Sequence, residues 1–273
     1  MVGPDDAENF DKPQTYADVP GGRDCEAQRP KLLPVECTFG ERNSSTDVWI
    51  VGNSHAGMWL PPLQSIARRQ HWRLETHIAS GCVIAPVEQI GLYPQFTDSC
   101  RRWTVQTMRE IRRARPDLVV MANRIAMPVV GEKSISSSEA AYTRAARVTL
   151  RSFQRSKIPL VIIRDTPALP RNAPDCVDQY RDDLSRCVSK LKDIRSFDPF
   201  AIAADQIHAR SIHVVDLTKR LCHRGTCAFA IGGVIVYFDQ THLTATYSRT
   251  LAPELEGPLV ESLADRASPA RTG

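Results

Sequence analysis

No apolar run in this 273-residue chain is long enough to cross a bilayer. The opening stretch, "MVGPDDAENF", has neither the basic nor the apolar region of a secretory signal. As it stands the sequence reads as soluble and unaddressed. It also lacks internal repeats. Net charge is only +4, carried by scattered arginine, and the concentrated basic face of a nucleic-acid binder is missing, so nucleic acid is not expected as a partner. What is present is 42% hydrophobic and 24% charged residues, enough to bury the core of one large domain, with or without trimmings.

Cysteine, by contrast, is plentiful. The eight residues fall into successive near pairs: Cys25 and Cys37, Cys82 and Cys100, Cys176 and Cys187, Cys222 and Cys227. Sequence alone does not fix a connectivity, but the grouping suggests four local loops. Each bond would contribute about 2–4 kcal/mol and persist only in an oxidising compartment. Two alternatives stay open. Several of these residues could be free core thiols, or Cys222, His223 and Cys227 of "LCHRGTC" could hold zinc, although no fourth ligand stands nearby. An oxidising compartment without a signal implies that Met1 is not the natural start. The chain is then expected to be a segment of a longer exported or membrane-anchored protein.

Short β-branched runs alternate with helical stretches. Strands are expected at "DVWIVG" (Asp47–Gly52), "WRLETHI" (Trp72–Ile78), "DLVVMA" (Asp117–Ala122), "PLVIIR" (Pro159–Arg164) and "IHVVDL" (Ile212–Leu217), with helices at Thr104–Arg115 and Ser138–Ser156. Apolar strands separated by helices predict an α/β fold: a three-layer α/β/α sandwich around a central, mostly parallel sheet of five strands. Residues 1–45 read as an irregular extension stapled by a cysteine pair, residues 46–264 as the main domain, and residues 265–273 as a disordered tail. Thr166–Arg195 reads as a long decorated excursion with its own cysteine pair. The arginines of "RRWTVQTMREIRRAR" are expected to form a solvated helix face, although they could approach acidic lipid or polymer.

One strand runs directly into a small hydroxyl residue: "DVWIVGNSHAGMWL" places Ser54 where the first strand meets the next helix. In an open α/β sheet, ligands bind beyond the carboxyl ends of the strands, so this position suits a nucleophile. It equally suits a plain N-cap. Far along the chain, "VIVYFDQTHLTATYSRTLAPEL" carries Asp239 and His242 three positions apart. Histidine can take the serine proton near neutral pH, and a carboxylate on its other nitrogen fixes the tautomer. His55 is expected to pack on its helix, and His71, His77, His208, His213 and His223 belong to no motif.

"VGNSHA" with Asp239-x-x-His242 resembles the SGNH hydrolase superfamily, whose fold is flavodoxin-like. More narrowly, it resembles the extracytoplasmic SGNH domain fused to the membrane acyltransferase-3 domain of bacterial O-acyltransferases. "GNSHA", Cys82 with Cys100, "RDTPALP" ahead of Cys176 and Cys187, "LCHRGTC" and "DQTHLT" carry the likeness over roughly Asp47 to Leu259. The resemblance implies a Ser54–His242–Asp239 triad. It implies an oxyanion hole from the Ser54 and Gly81 amides and Asn123, although Gly81 could be a plain turn glycine and Asn123 a loop amide capping Arg124. The family's usual aspartate before the serine is Asn53 here, so any electrostatic role of that carboxylate is lost.

The implied activity is passage of an acyl group, acetyl above all, through an acyl-serine onto a hydroxyl of a cell-surface glycan or glycolipid. The donor would be delivered by an upstream membrane acyltransferase domain, in a periplasmic or cell-surface setting, with no cofactor and no metal. The same triad could instead use water, as in a carbohydrate O-acetyl esterase. A third reading, from a different class, is a catalytically silent glycan-binding module.

Overall fold

All five apolar runs become strands of one sheet. They are β2 (Asp47–Gly52), β3 (Arg73–Ile78), β4 (Leu118–Ala122), β5 (Leu160–Ile163) and β7 (Ile212–Val215), in the computed structural model, which describes residues 14–20, 22–91 and 93–267. A sixth strand, β1 (Thr38–Gly40), pairs antiparallel with β3 and completes the order β1-β3-β2-β4-β5-β7. The sheet is therefore six-stranded rather than five, with β3, β2, β4, β5 and β7 parallel. The extra strand lies in the stretch read as an irregular extension. Three residues among prolines and charges are too few to display a period.

Alternation along the strands explains the layering. Val48 and Ile50 of β2 face one hydrophobic cluster while Trp49 and Val51 face the other; β4 and β5 divide in the same way. On the first face lie α2 (Leu60–Arg69), α9 (Ala245–Thr250) and α10 (Ala252–Ala267), reached after the short α1 (Ser54–Gly57). On the second lie α3 (Phe96–Ala114), α4 (Ile135–Ser156) and α7 (Pro199–Ile207). The tail expected from residue 265 thus begins inside α10, and residues 268–273 lie outside the described residues.

The excursion between β5 and α7 is more ordered than its composition suggests. It contains α5 (Ala173–Gln179), β6 (Val188–Lys190) and α6 (Leu191–Ile194). After β7 come α8 (Thr218–Leu221), β8 (Cys222–His223) and β9 (Thr226–Ala228), and β6, β9 and β8 form a small antiparallel sheet. A last hairpin, β10 (Ala230–Ile231) with β11 (Val234–Ile235), leads towards α9.

All four near pairs are disulfides: Cys25–Cys37, Cys82–Cys100, Cys176–Cys187 and Cys222–Cys227. No free cysteine remains, which removes the free-thiol and zinc alternatives, since a bonded sulfur is not available as a thiolate ligand. The bonds fit an oxidising, extracytoplasmic compartment.

Register positions everything that follows. Gly52 stands beside Ala122 and Met121 beside Ile162, so the residues after β2, β4 and β5 leave the sheet at the same edge. Ser54, Asn123 and Asp165 are those residues.

Candidate active site

The turn out of β2 needs glycine. Gly52 adopts φ +143°, and a Cβ there would run into the Ala122 carbonyl. Asn53 then caps α1: its Oδ1 accepts from the His55 N–H at 3.1 Å. The same oxygen accepts from the Arg124 N–H at 3.2 Å, and Nδ2 donates to the Arg124 carbonyl at 2.8 Å. Asn53 is therefore a clamp between the ends of β2 and β4 that uses both halves of its amide. A carboxylate would set an oxygen against that carbonyl in place of the donor.

With capping done by Asn53, Ser54 is the first helical residue and its hydroxyl is free for another partner. The cap reading of Ser54 thus passes to its neighbour. Ser54 Oγ lies 2.8 Å from His242 Nε2, and His242 Nδ1 lies 2.7 Å from Asp239 Oδ2. Asp239 Oδ1 accepts from the backbone N–H groups of Thr241 and His242, at 2.6 and 2.7 Å. One carboxylate thus shapes the turn and orients the ring it carries. Burial pushes the Asp239 carboxyl up, but the His242 ring and these backbone donors outweigh it and hold the group well below the usual carboxylate range. An ionised Asp239 accepts a hydrogen bond from Nδ1–H and so keeps the proton on that nitrogen, which leaves Nε2 free to accept from Ser54.

The turn is clamped from outside. Thr166 Oγ1 donates to the Thr241 carbonyl at 3.0 Å and the Leu169 N–H to the Gln240 carbonyl at 2.7 Å. The start of the excursion, read from sequence only as decoration, therefore fixes the segment that bears the histidine.

Asn123 and Gly81 lie at the same edge. Asn123 Oδ1 accepts from the Ile84 N–H at 3.2 Å, which ties down the loop bearing Gly81, while its Nδ2 is buried without a partner. Gly81 has φ +80°, and its carbonyl accepts from the Gln89 amide. Asn123 does not cap Arg124; the backbone of Arg124 is held by Asn53 instead.

A second histidine–carboxylate contact lies behind the first and was missed from sequence. His55 is buried, its ring 4.6 Å from that of His242, and its Nδ1 is 2.7 Å from Asp165 Oδ1, off the line of a hydrogen bond. Asp165 Oδ2 also meets Arg124 Nη1 at 3.0 Å, and that nitrogen donates to Ser196 Oγ at 2.9 Å. Burial pushes the His55 pKa down, against the opposing pull of Asp165. Burial thus favours the neutral imidazole, and Arg124 lies against the other oxygen of Asp165. The available signal was an aspartate two residues beyond β5, as Ser54 is two residues beyond β2. Asp165→Ala is expected to cost about 3–5 kcal/mol in chemical denaturation, because it strands a largely buried arginine without its anion. A loss below about 1 kcal/mol would show that the cluster does not hold this edge together.

The other histidines agree with their plain reading. His77, for example, stacks on Trp49 at 4.1 Å between ring centroids, and burial lowers its pKa to about 4.

A family model described as the SGNH domain (fused to AT3 domains) matches residues 24–257. Among solved structures, the chain is similar to the periplasmic domain of the Salmonella ser. Paratyphi A lipopolysaccharide acetyltransferase. That match covers 95% of this chain and 98% of the other at 13% identity, with a TM-score of 0.64. A putative acylhydrolase from Bacteroides fragilis follows at 12% identity, covering 92% and 99% of the two chains, with a TM-score of 0.44. A carbohydrate esterase family 3 protein from Talaromyces cellulolyticus matches at 10% identity over 81% and 99%, with a TM-score of 0.42. At 13% identity the likeness to the Salmonella domain concerns the fold alone. No curated protein matches the chain.

Proposed function

The chain belongs to the family of SGNH domains fused to AT3 domains, and from this premise we propose that it is a serine-dependent O-acyltransferase domain with Ser54 as nucleophile. The observation that carries the reading is the continuous chain from Ser54 Oγ through the His242 ring to Asp239, at 2.8 and 2.7 Å. In the proposed sequence His242 Nε2 takes the Ser54 proton as Oγ attacks the acyl carbonyl. The developing oxyanion is received by the Ser54 and Gly81 N–H groups and by Asn123 Nδ2, the buried donor without a partner. The protonated His242 then hands its proton to the departing donor group. In the second half the imidazole takes the proton of an acceptor hydroxyl as that oxygen attacks the acyl-serine, and returns it to Ser54 Oγ as the acyl–serine bond breaks.

Acetyl is the proposed acyl group, and a cell-surface glycan or glycolipid the proposed acceptor. The likeness to a lipopolysaccharide acetyltransferase domain supports both. An upstream membrane acyltransferase domain would deliver the acyl group and tether this one. One observation favours the esterase alternative: the site is open, with the His242 and Asp239 side chains 24% and 37% exposed, so water reaches the acyl-serine. The alignment of three side chains disfavours the silent binding module, which has no use for it.

The readings separate with a small activated acetyl ester and a hydroxylated oligosaccharide. A transferase yields acetylated sugar, visible by mass spectrometry, at the expense of free acetate. Acetate alone, with the sugar acting as an inhibitor, would establish the esterase. No turnover by the wild-type chain would leave only the binding module.

A further inference from the structure

The arginines read from sequence as scattered are not scattered in the fold. Helices α3 and α4 lie in the same layer, joined at their ends by Arg115 Nη2 donating to the Ser156 carbonyl at 3.0 Å. Together they carry nine arginines against Asp98, Glu110 and Glu139, a balance of +6 where the whole chain carries +4. The rest of the chain is thus −2, and the positive charge belongs to this layer.

Helical geometry concentrates it further. At 3.6 residues per turn the five arginines of α3 fall within an arc of about 120°. Arg144, Arg151 and Arg155 of α4 fall within about 40°. All eight are exposed. An exposed aliphatic side chain accompanies each stripe: Val105, 52% exposed, lies within the arc of α3, and Val148, 54% exposed, borders that of α4. Little of the charge is neutralised locally. Arg101 meets Asp98 at 3.3 Å, Glu110 accepts from Gln106, and among the described residues no carboxylate pairs with the other exposed arginines of these helices.

We propose that the outer face of α3 and α4 docks on the phosphate-bearing surface of an anionic lipid bilayer. Arginine forks engage phosphate oxygens two at a time, and Val105 and Val148 are placed to enter the headgroup layer between them. Two observations favour lipid over nucleic acid. The four disulfides belong to an oxidising compartment. The face also offers no ring for a base to stack on, because Phe96, Trp103, Tyr142 and Phe153 of these helices are all buried. The candidate active site lies at the sheet edge where both helices begin, so docking along their length leaves that edge facing sideways, open to acceptors on the same surface.

The test uses the whole chain and vesicles of phosphatidylcholine alone or of equal parts phosphatidylcholine and phosphatidylglycerol. The expected result is cosedimentation with the anionic vesicles only, reversed by salt. Each arginine near the surface is worth about fivefold in partitioning, so the triple variant Arg109→Glu, Arg113→Glu, Arg151→Glu should lose at least a hundredfold, about. The corresponding triple lysine variant should still bind, and neither should change hydrolysis of a soluble acetyl ester. Equal binding to neutral vesicles, binding to neither, or unaltered binding by the glutamate variant overturns the proposal. So does capture of a soluble polyanion without capture of vesicles.

Discussion

Ser54→Ala should remove ester hydrolysis by at least about 10⁴-fold while leaving the melting temperature nearly unchanged. The two halves of this expectation come from the same turn. The α1 cap is Asn53, and among the described residues the Ser54 hydroxyl has its one hydrogen bond with His242. Loss of that bond costs about 1 kcal/mol at a site already reached by solvent. His242→Ala should match Ser54→Ala in rate, since the two act as a unit. Asp239→Asn is more informative. Its remaining oxygen can still hold the Thr241 and His242 N–H groups, but its new NH₂ faces His242 Nδ1 and favours the wrong tautomer, for an expected loss of about 10⁴-fold, the size such a change has in serine proteases. Progress curves with an activated acetyl ester and thermal melts of the same preparations decide the matter. A folded Ser54→Ala protein with wild-type turnover would mean that the hydroxyl takes no part in the chemistry.

How far the sequence foretells this site depends on how local each piece is. Asp239 and His242 were legible because three residues on one turn suffice to join them. The Ser54 position was legible because strand and helix meet there whatever the rest of the sheet does. His55, Asp165 and Arg124 were not. They leave three different strands, and they meet only because β2, β4 and β5 are neighbours in that order.

Asn53 was legible as a departure but not in its consequence. It reads as a lost charge, yet the structure uses the NH₂ that aspartate does not have. The five parallel strands were found to within about two residues because each carries an apolar run, buried on both faces in β2, β4 and β5, whereas β1 is held by an edge pairing that leaves no such pattern. The arginines illustrate the same limit. Each stripe is visible along its own helix, but their sum becomes a face only when the two helices share a layer.

Reduction of the disulfides should have the second large effect, and it should come in a definite order. The four bonds span separations of 12, 18, 11 and 5 residues. On the chain-entropy view each contributes about 2–3 kcal/mol, on the order of 10 kcal/mol together. That is comparable to the whole stability of a domain, about 5–15 kcal/mol, so the fully reduced chain should melt some tens of degrees lower, roughly 20–30 °C, or not fold at all.

Access sets the sequence of events. Cys37 is half-buried, whereas Cys82, Cys100, Cys176, Cys187, Cys222 and Cys227 are buried, so mild reductant should open Cys25–Cys37 first and release the edge strand β1 that follows it. Ester hydrolysis should survive that step, because none of Ser54, His242 and Asp239 lies on this segment. It should fall when Cys82–Cys100 opens, since this bond anchors the loop of Gly81, next to Cys82, to α3. Alkylation with mass mapping at successive reductant concentrations, read beside activity, tests the order. Loss of activity with only Cys25 and Cys37 alkylated would show that the N-terminal segment supports the site directly, and thiols alkylated in the untreated protein would remove the disulfide framework itself.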